Sequence, residues 1–350
     1  MDTEILCPTS RTDFERAAET IRSGALVAFP TETVYGLGAN GLDAAACARI
    51  YAAKGRPSDN PLILHIADLA MAHEVASDVP PTAAHLLTAF APGPLTVILP
   101  KAAHIPDIVT GGLSTIGVRC PDHDVARRLI RAAGVPIAAP SANTSGRPSP
   151  TSAAMVYDDM EGRIPLILDG GSCRLGVEST IVDCTEKDTV TILRPGAVTR
   201  EMIAAELPHI EVCMDAALTA EDAAPRAPGM KYTHYAPRMP LTVYVGTGTD
   251  VAAALREELL RRTAAGERPA LIASNETITA LSDIIHADDT YHCGARGNHS
   301  AFASCLYDAL RHFDTMPVTS LLAEGVAAVG LGTAIMNRLR KASGGDIRFV

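Results

Sequence analysis

The 350-residue chain predicts an α/β protein of two domains, a mixed, twisted-sheet domain followed by a smaller doubly wound parallel-sheet domain. Three observations carry this. The length is about twice the usual domain size, so each part can bury its own core. Strand-like and helix-like segments alternate irregularly as far as Glu206 and regularly after Pro240. Between them lies a stretch rich in Ala, Pro and acidic residues with neither period, which reads as a linker. The boundaries are therefore 1–207, 208–239 for the linker, and 240–350.

Taken in order, Thr12 with Glu15 three positions on resembles a capping box, and Phe14, Ala17, Ala18 and Ile21 form a helical stripe that stops at Gly24. A strand over Ala25 to Phe29 follows, and Pro30 with the glycines of PTETVYGLG marks the end of regular pairing. A helix from about Asp43 to Lys54 ends at Gly55, and LILHIA, LTVILP, TIGVR, PIAAP, STIVD and TVTILR beyond it read as strands. In the second domain, strand LTVYVG, a helix from Val251 to Ala265, strand ALIAS, a short helix and strand TYHCG come first. A helix from Ala301 to Phe313, strand VTSLLAEG and a helix from Leu331 to Ala342 complete the alternation of a parallel sheet.

Composition narrows the function. A formal charge of -10 and a pI near 5.5 repel polyanions, so stable binding of nucleic acid or an anionic membrane is not expected. The longest apolar runs, such as Leu95 to Leu99, are far too short to span a bilayer. The N-terminus MDTEILCPTS is acidic where a signal peptide is basic, which predicts a cytoplasmic protein. Eight cysteines without a CxxC pair predict idle thiols, and neither a disulfide framework nor a zinc site.

Hydroxyls, cations and glycines concentrate at strand ends, where α/β proteins bind ligands. Pro30 to Gly38 offers Thr31 and Thr33 beside glycines that admit a close ligand, although an ordinary turn explains the pattern as well. In Lys54-Gly-Arg-Pro-Ser-Asp-Asn-Pro-Leu62, Lys54 can be a helix C-terminal cation and His65 a satisfied core histidine, whereas Arg56 has no such ready explanation. Strand alternation in Ser114 to Arg119 puts Thr115, Gly117 and Arg119 on one face; Arg119 can be a rim charge on an exposed face, but the flanking apolar residues point to a strand well inside the sheet, where an arginine needs an anion. The run from Ala138 to Thr151 is too rich in Ser, Pro and Asn to be a helix and reads as a phosphate or ribose cradle, or as a flexible linker. Ser179 in GVEST and Arg194 in LRPG add to the set, Arg194 being explicable also as a strand-end charge. Neither GxxxxGK[ST] nor a helix-opening GxGxxG occurs, so phosphate must be held by arginines and hydroxyls.

Together, PTETVYGLG, KGRPSDNPL, PSANTSGRPSPT, GVESTIVD and ILRPG resemble the YrdC-like domain of threonylcarbamoyl-AMP synthases. PGMKYTHYAP in the linker and the late GLGTAIMNRLRKAS resemble the two-domain form of that family. Cys120 after Arg119 and Ala227 before Pro228 depart from its usual pattern without touching a key contact. The resemblance implies a nucleotidyltransferase that combines L-threonine, bicarbonate and ATP into threonylcarbamoyl-AMP and pyrophosphate for tRNA modification. The product would pass to a separate tRNA threonylcarbamoyl transferase. It assigns threonine to Thr33, His65, Arg119, the backbone at Ala139, and Ser179. ATP goes to Arg56, Asn60, Thr115, Ser141, Ser149, Arg194 and the linker's Tyr232, with Lys54 and Arg56 as the catalytic cations and Mg²⁺ carried mainly by the nucleotide. The linker would then be a lid anchored by the second domain.

Two other readings are compatible with parts of the pattern. A carbamoyl transferase of the hydrogenase-maturation type contains a similar module but carries zinc-finger cysteines, for which this chain lacks the spacing. A non-catalytic RNA-binding module using the same basic cavity is disfavoured by the acidic charge.

Overall fold

Helix α1 (Arg11–Arg22) is capped two positions upstream of the expected pair. Asp13 N donates to Ser10 Oγ at 3.2 Å and Ser10 N donates to Asp13 Oδ2 at 2.8 Å, a capping box in which aspartate replaces glutamate. The predicted stripe Phe14, Ala17, Ala18 and Ile21 is buried.

The computed structural model describes residues 2–215 and 234–350. The chain divides into two compact units, Met1–Ser145 with Ser149–Tyr232, and Gly146–Pro148 with Thr233–Val350. In the first unit the strands are β1 (Glu4–Leu6), β2 (Val27–Phe29), β3 (Gly36–Asn40), β4 (Ile63–His65), β5 (Leu95–Pro100), β6 (Thr115–Arg119), β7 (Ile137–Ala139), β8 (Leu166–Leu168), β9 (Thr180–Asp183), β10 (Thr189–Arg194) and β11 (Glu211–Met214). They form one mixed sheet in the order β1-β8-β2-β3-β7-β4-β6-β5-β9-β10-β11. Helices α2 (Ala44–Lys54), α3 (Ala70–Val75), α4 (Pro81–Phe90), α5 (Asp107–Thr110), α6 (Asp124–Ala133), α7 (Ala153–Met160) and α8 (Arg200–Glu206) connect them.

Each strand-like segment expected after Gly55 is a strand, but β1, β3, β8 and β11 were not expected. Pairing resumes in β3, where Gly38 lies opposite Val27 and Gly36 opposite Phe29. A Cβ on Gly38 would fall 2.8 Å from both the Phe29 ring and the Ile137 side chain, so this glycine is demanded by packing within a strand and does not end one. Strand β11 lies inside the predicted linker and pairs parallel with β10; with only Val212 buried, it has too short an apolar pattern to be read locally.

Period-two alternation sorts the strands onto two faces. Ala28, Leu64, Val118, Ala138 and Val182 enter one large core with residues of α2, α4 and α7. Val27, Phe29, Ile137 and Ala139 enter a second core on the other face, under α1 and α6. That second core stops at β7. Beyond it, among the described residues, the same face carries a small apolar floor of Ile63, Ile98, Ile181 and Leu193.

The second unit has β12 (Leu241–Val245), β13 (Pro269–Ala273), β14 (Thr290–His292), β15 (Ser320–Glu324) and β16 (Ile347–Phe349), all parallel in the order β14-β13-β15-β12-β16. Helices α9 (Gly248–Ala264), α10 (Asn275–Leu281), α11 (His299–His312) and α12 (Leu331–Ala342) complete the expected doubly wound pattern, with β16 as an unforeseen edge strand. Gly146–Pro148 belongs to this unit, where Arg311 Nε donates to Pro148 O at 3.0 Å and Arg147 pairs with Asp314 at 2.5 Å. Among the described residues no helix is long and apolar enough to cross a membrane.

Candidate active site

The part of the second sheet face beyond β7 is where the candidate residues meet. Register carries the face from strand to strand: His65 pairs with Ile137 and Arg119, Ile63 with Gly117, Gly117 with Ile98, Thr96 with Ile181, and Ile181 with Arg194. His65, Arg119, Thr96 and Arg194 therefore share one face around the apolar floor. Gly117 leaves the gap anticipated at its centre, since a Cβ there would stand 3.1 Å from Thr96 Cγ2.

Arg119 is 4% exposed and holds the loop between β2 and β3. Its Nη2 donates to Thr33 Oγ1 at 2.8 Å and lies 2.8 Å from Glu32 Oε2, while its Nε reaches Gly93 O at 3.4 Å. Thr31 Oγ1 donates to Val34 O at 2.6 Å, so the proton in its 2.8 Å contact with Thr33 Oγ1 comes from Thr33. The Thr33 hydroxyl is thus aligned by Arg119 on one side and Thr31 on the other. Glu32, 1% exposed, makes a close ion pair that is not aligned as a hydrogen bond; among the described residues neither carboxylate oxygen has a hydrogen-bonding partner. His65 stands edge-on to Phe29 at 5.8 Å between ring centroids. Burial first, and then the Arg119 charge, pull its pKa down to about 3, so the ring is neutral at physiological pH. Among the described residues its Nδ1 is buried without a partner. Far from being a satisfied core histidine, it has an unused polar atom beside an arginine.

At the end of α2, Lys54 is 3% exposed and its Nζ donates to Ser141 O at 2.6 Å and to Asn143 O. It clamps the loop after β7 by its backbone, which a helix-terminal surface cation would not do. Ser141 Oγ donates to Asn143 Oδ1 at 2.5 Å, so Asn143 joins the same cradle. Arg56 Nη2 donates to Pro61 O at 3.1 Å and shapes the turn that presents Asn60, whose Oδ1 is buried without a partner. Ala139 ends β7 at the border of the two parts of the face.

On the other side, Ser179 Oγ is 2.8 Å from Thr96 Oγ1 and accepts from Arg194 Nη2 at 3.1 Å, while Arg194 Nε donates to Ser179 O at 3.0 Å. The LRPG glycine has a steric reason: a Cβ on Gly196 would meet Thr180 N at 2.3 Å and Glu178 O at 2.7 Å. Ser149 Oγ donates to Glu178 Oε1 at 2.6 Å, both side chains buried. Thr115 opens β6 and takes part in none of these side-chain hydrogen bonds, and Tyr232 lies outside the described residues. Glu32, Thr96, Asn143 and Glu178 were missed as participants; Glu32 and Glu178 stood inside quoted motifs, next to Thr33 and Ser179.

The chain matches two family models end to end, one described as "Telomere recombination" over residues 19–196 and one as "Threonylcarbamoyl-AMP synthase, C-terminal domain" over 198–344. It is 45% identical over 340 residues to the threonylcarbamoyl-AMP synthase of Bacillus subtilis, covering 97% of this chain and 95% of that protein. The chain belongs to the threonylcarbamoyl-AMP synthase family. The synthase of Pyrococcus abyssi is 47% identical over 328 residues, with 94% of this chain and 93% of that protein covered. The crystal structure of P. abyssi Sua5 complexed with L-threonine matches with a TM-score of 0.92 at 44% identity, over 99% of this chain and all of that one. Like other members of this synthase family, the chain is an ATP-using nucleotidyltransferase.

Proposed function

We propose that the face built on Arg119 and Arg194 joins L-threonine, bicarbonate and ATP into threonylcarbamoyl-AMP, releasing pyrophosphate, for the threonylcarbamoyladenosine modification of tRNA. The observation that carries the threonine half is the buried group of Arg119, Thr33 and neutral His65, with His65 Nδ1 lacking a partner. A carboxylate brought to Arg119 is desolvated and meets a charge-assisted donor, while the amino-acid hydroxyl has an uncharged ring atom to bond. Ser179 and the Ala139 backbone border the same face.

ATP is assigned to Arg56, Asn60, Thr115, Ser141, Ser149, Arg194 and Tyr232. Asn60 Oδ1 supports this as a second buried acceptor without a partner. Lys54 acts on the phosphates chiefly by holding the Ser141 loop in shape, and Mg²⁺ enters as the counter-ion of the nucleotide. Bicarbonate breaks into CO₂ and hydroxide, the neutral threonine amine bonds the CO₂ carbon, and the hydroxide takes the amine proton and leaves as water; a carbamate oxygen then attacks the α-phosphorus in line as pyrophosphate leaves. Such a step depends on positioning and charge neutralisation, which arginines and aligned hydroxyls supply. The adenylate is then handed to a separate tRNA-modifying transferase, with no stable nucleic-acid complex on this chain.

Pyrophosphate release measured with threonine and bicarbonate omitted in turn tests the reading: both omissions should abolish it. Arg56→Ala should keep the fold and suppress threonine-dependent release; near-normal turnover would remove Arg56 from the site. Salt-sensitive RNA affinity without such release would favour the RNA-binding alternative.

A further inference from the structure

In the second unit the four strands β12, β13, β14 and β15 deliver their carboxyl-end loops to one place. Helices α9 and α10 pack on each other, as do α11 and α12. Right-handed crossovers send the two pairs to opposite faces, so the loops diverge and leave the crevice in which doubly wound sheets take ligands. A cavity of about 210 Å³ lies there, with Ser274, Arg296, His299, Phe302, Glu324 and Val326 among its walls. Its two charges are of opposite sign. Glu324 is 5% exposed; its Oε2 accepts from Ser274 N at 2.8 Å and Ser274 Oγ at 2.7 Å, and its Oε1 accepts only a longer bond of 3.3 Å from Arg296 Nε. A carboxylate oxygen can accept two hydrogen bonds, so Oε1 retains capacity. Arg296 Nη2 donates to Thr277 Oγ1 at 2.7 Å, and Nη1 has no acceptor among the described residues.

We propose that this cavity is a second ligand site and binds a free α-amino acid. Its carboxylate would take Arg296 Nη1, its ammonium would donate to Glu324 Oε1, and its side chain would lie against Phe302 and Val326. The unspent donor and unspent acceptor sit on adjacent residues of one ion pair, the complement of a zwitterion. A phosphate ester is the wrong match, because the buried carboxylate cancels the arginine and leaves no net positive charge to receive it. The proposal stands independently of the threonine pocket assigned to the first unit.

Saturation-transfer NMR on the full chain and on its Arg119→Ala variant, which disables the Arg119 pocket and is first shown by its melt to be folded because it strands Glu32, tests it with the common L-amino acids singly at millimolar concentration and with AMP. At least one amino acid should bind saturably and its methyl ester should not, a comparison that needs no further variant. Adding Glu324→Gln, which keeps an acceptor for Ser274, or Arg296→Gln should weaken that binding by about tenfold or more, the scale of one lost charge-assisted contact. Absence of binding by every amino acid, indifference to both substitutions, or AMP binding that depends on Arg296 would each overturn the proposal.

Discussion

Arg119 and Glu32 form a buried ion pair with 2.8 Å between Nη2 and Oε2, and Glu32 has no hydrogen bond to support its charge. The pair is held together by sequence-distant elements, the end of β6 and the loop after β2, at the point where the apolar cover of the sheet stops.

Removing only one charge of such a pair strands the other. Glu32→Gln should therefore destabilise the protein by about 3 kcal/mol, a fall of roughly 6–12 °C in Tm for a domain of this size. Threonine supplies a new carboxylate to Arg119, so saturating threonine should raise the variant's Tm by more than it raises that of the parent chain. Equal threonine shifts in thermal melts would separate Glu32 from the threonine pocket.

The histidine makes a pH prediction. An unfolded histidine protonates near 6.5, but folded His65 only at about 3, so between these values the unfolded chain binds more protons. Stability is complete above 6.5 and declines as pH falls towards 3, by up to about 1.4 kcal/mol per pH unit from this residue. His65→Asn should flatten that decline in urea melts relative to the parent chain. His123 is shifted in the same direction by burial and remains in both proteins, so the difference isolates His65.

Lys54→Met preserves the stem but leaves the carbonyls of Ser141 and Asn143 without their donor. A loss of about 1–3 kcal/mol in stability is expected from unsatisfied buried acceptors. In steady-state kinetics the KM for ATP should rise more than that for threonine, since the clamped loop carries Ser141. The reverse order would place Lys54 on the threonine side.

Gly196→Ala forces a Cβ within 2.3 Å of Thr180 N, and only backbone movement can relieve it. A cost of about 1–3 kcal/mol is expected. Because Ser179 and Arg194 flank the contact, turnover should fall further than stability, measured by pyrophosphate release beside a Tm. Normal turnover in a destabilised protein would show that the contact is structural only.

How far the sequence carried the fold can be judged from particular elements. Helix α12 was readable to its end residues because Ile335 and Leu339 repeat at helical spacing and are buried, and the strand of TIGVR announced itself by alternation. The β3 glycines looked like a stop because their reason is Phe29 and Ile137 closing on a bare backbone, which no local pattern records. Ser10 was passed over as a cap because Asp13 does a job usually read from glutamate or glutamine.

Alternation along one strand decided on its own that Thr115, Gly117 and Arg119 share a face, and motif order along the chain pointed to the family. What lies beside that face was decided only in three dimensions. Thr33 reaches Arg119 across 86 positions and Ser179 reaches Thr96 across 83. Side-chain period is a local property of the backbone, whereas register and partner choice are settled by which cores are buried together. That is why the arginine inside the sheet could be expected from sequence, while Glu32, the group that holds its charge, emerged only from the fold.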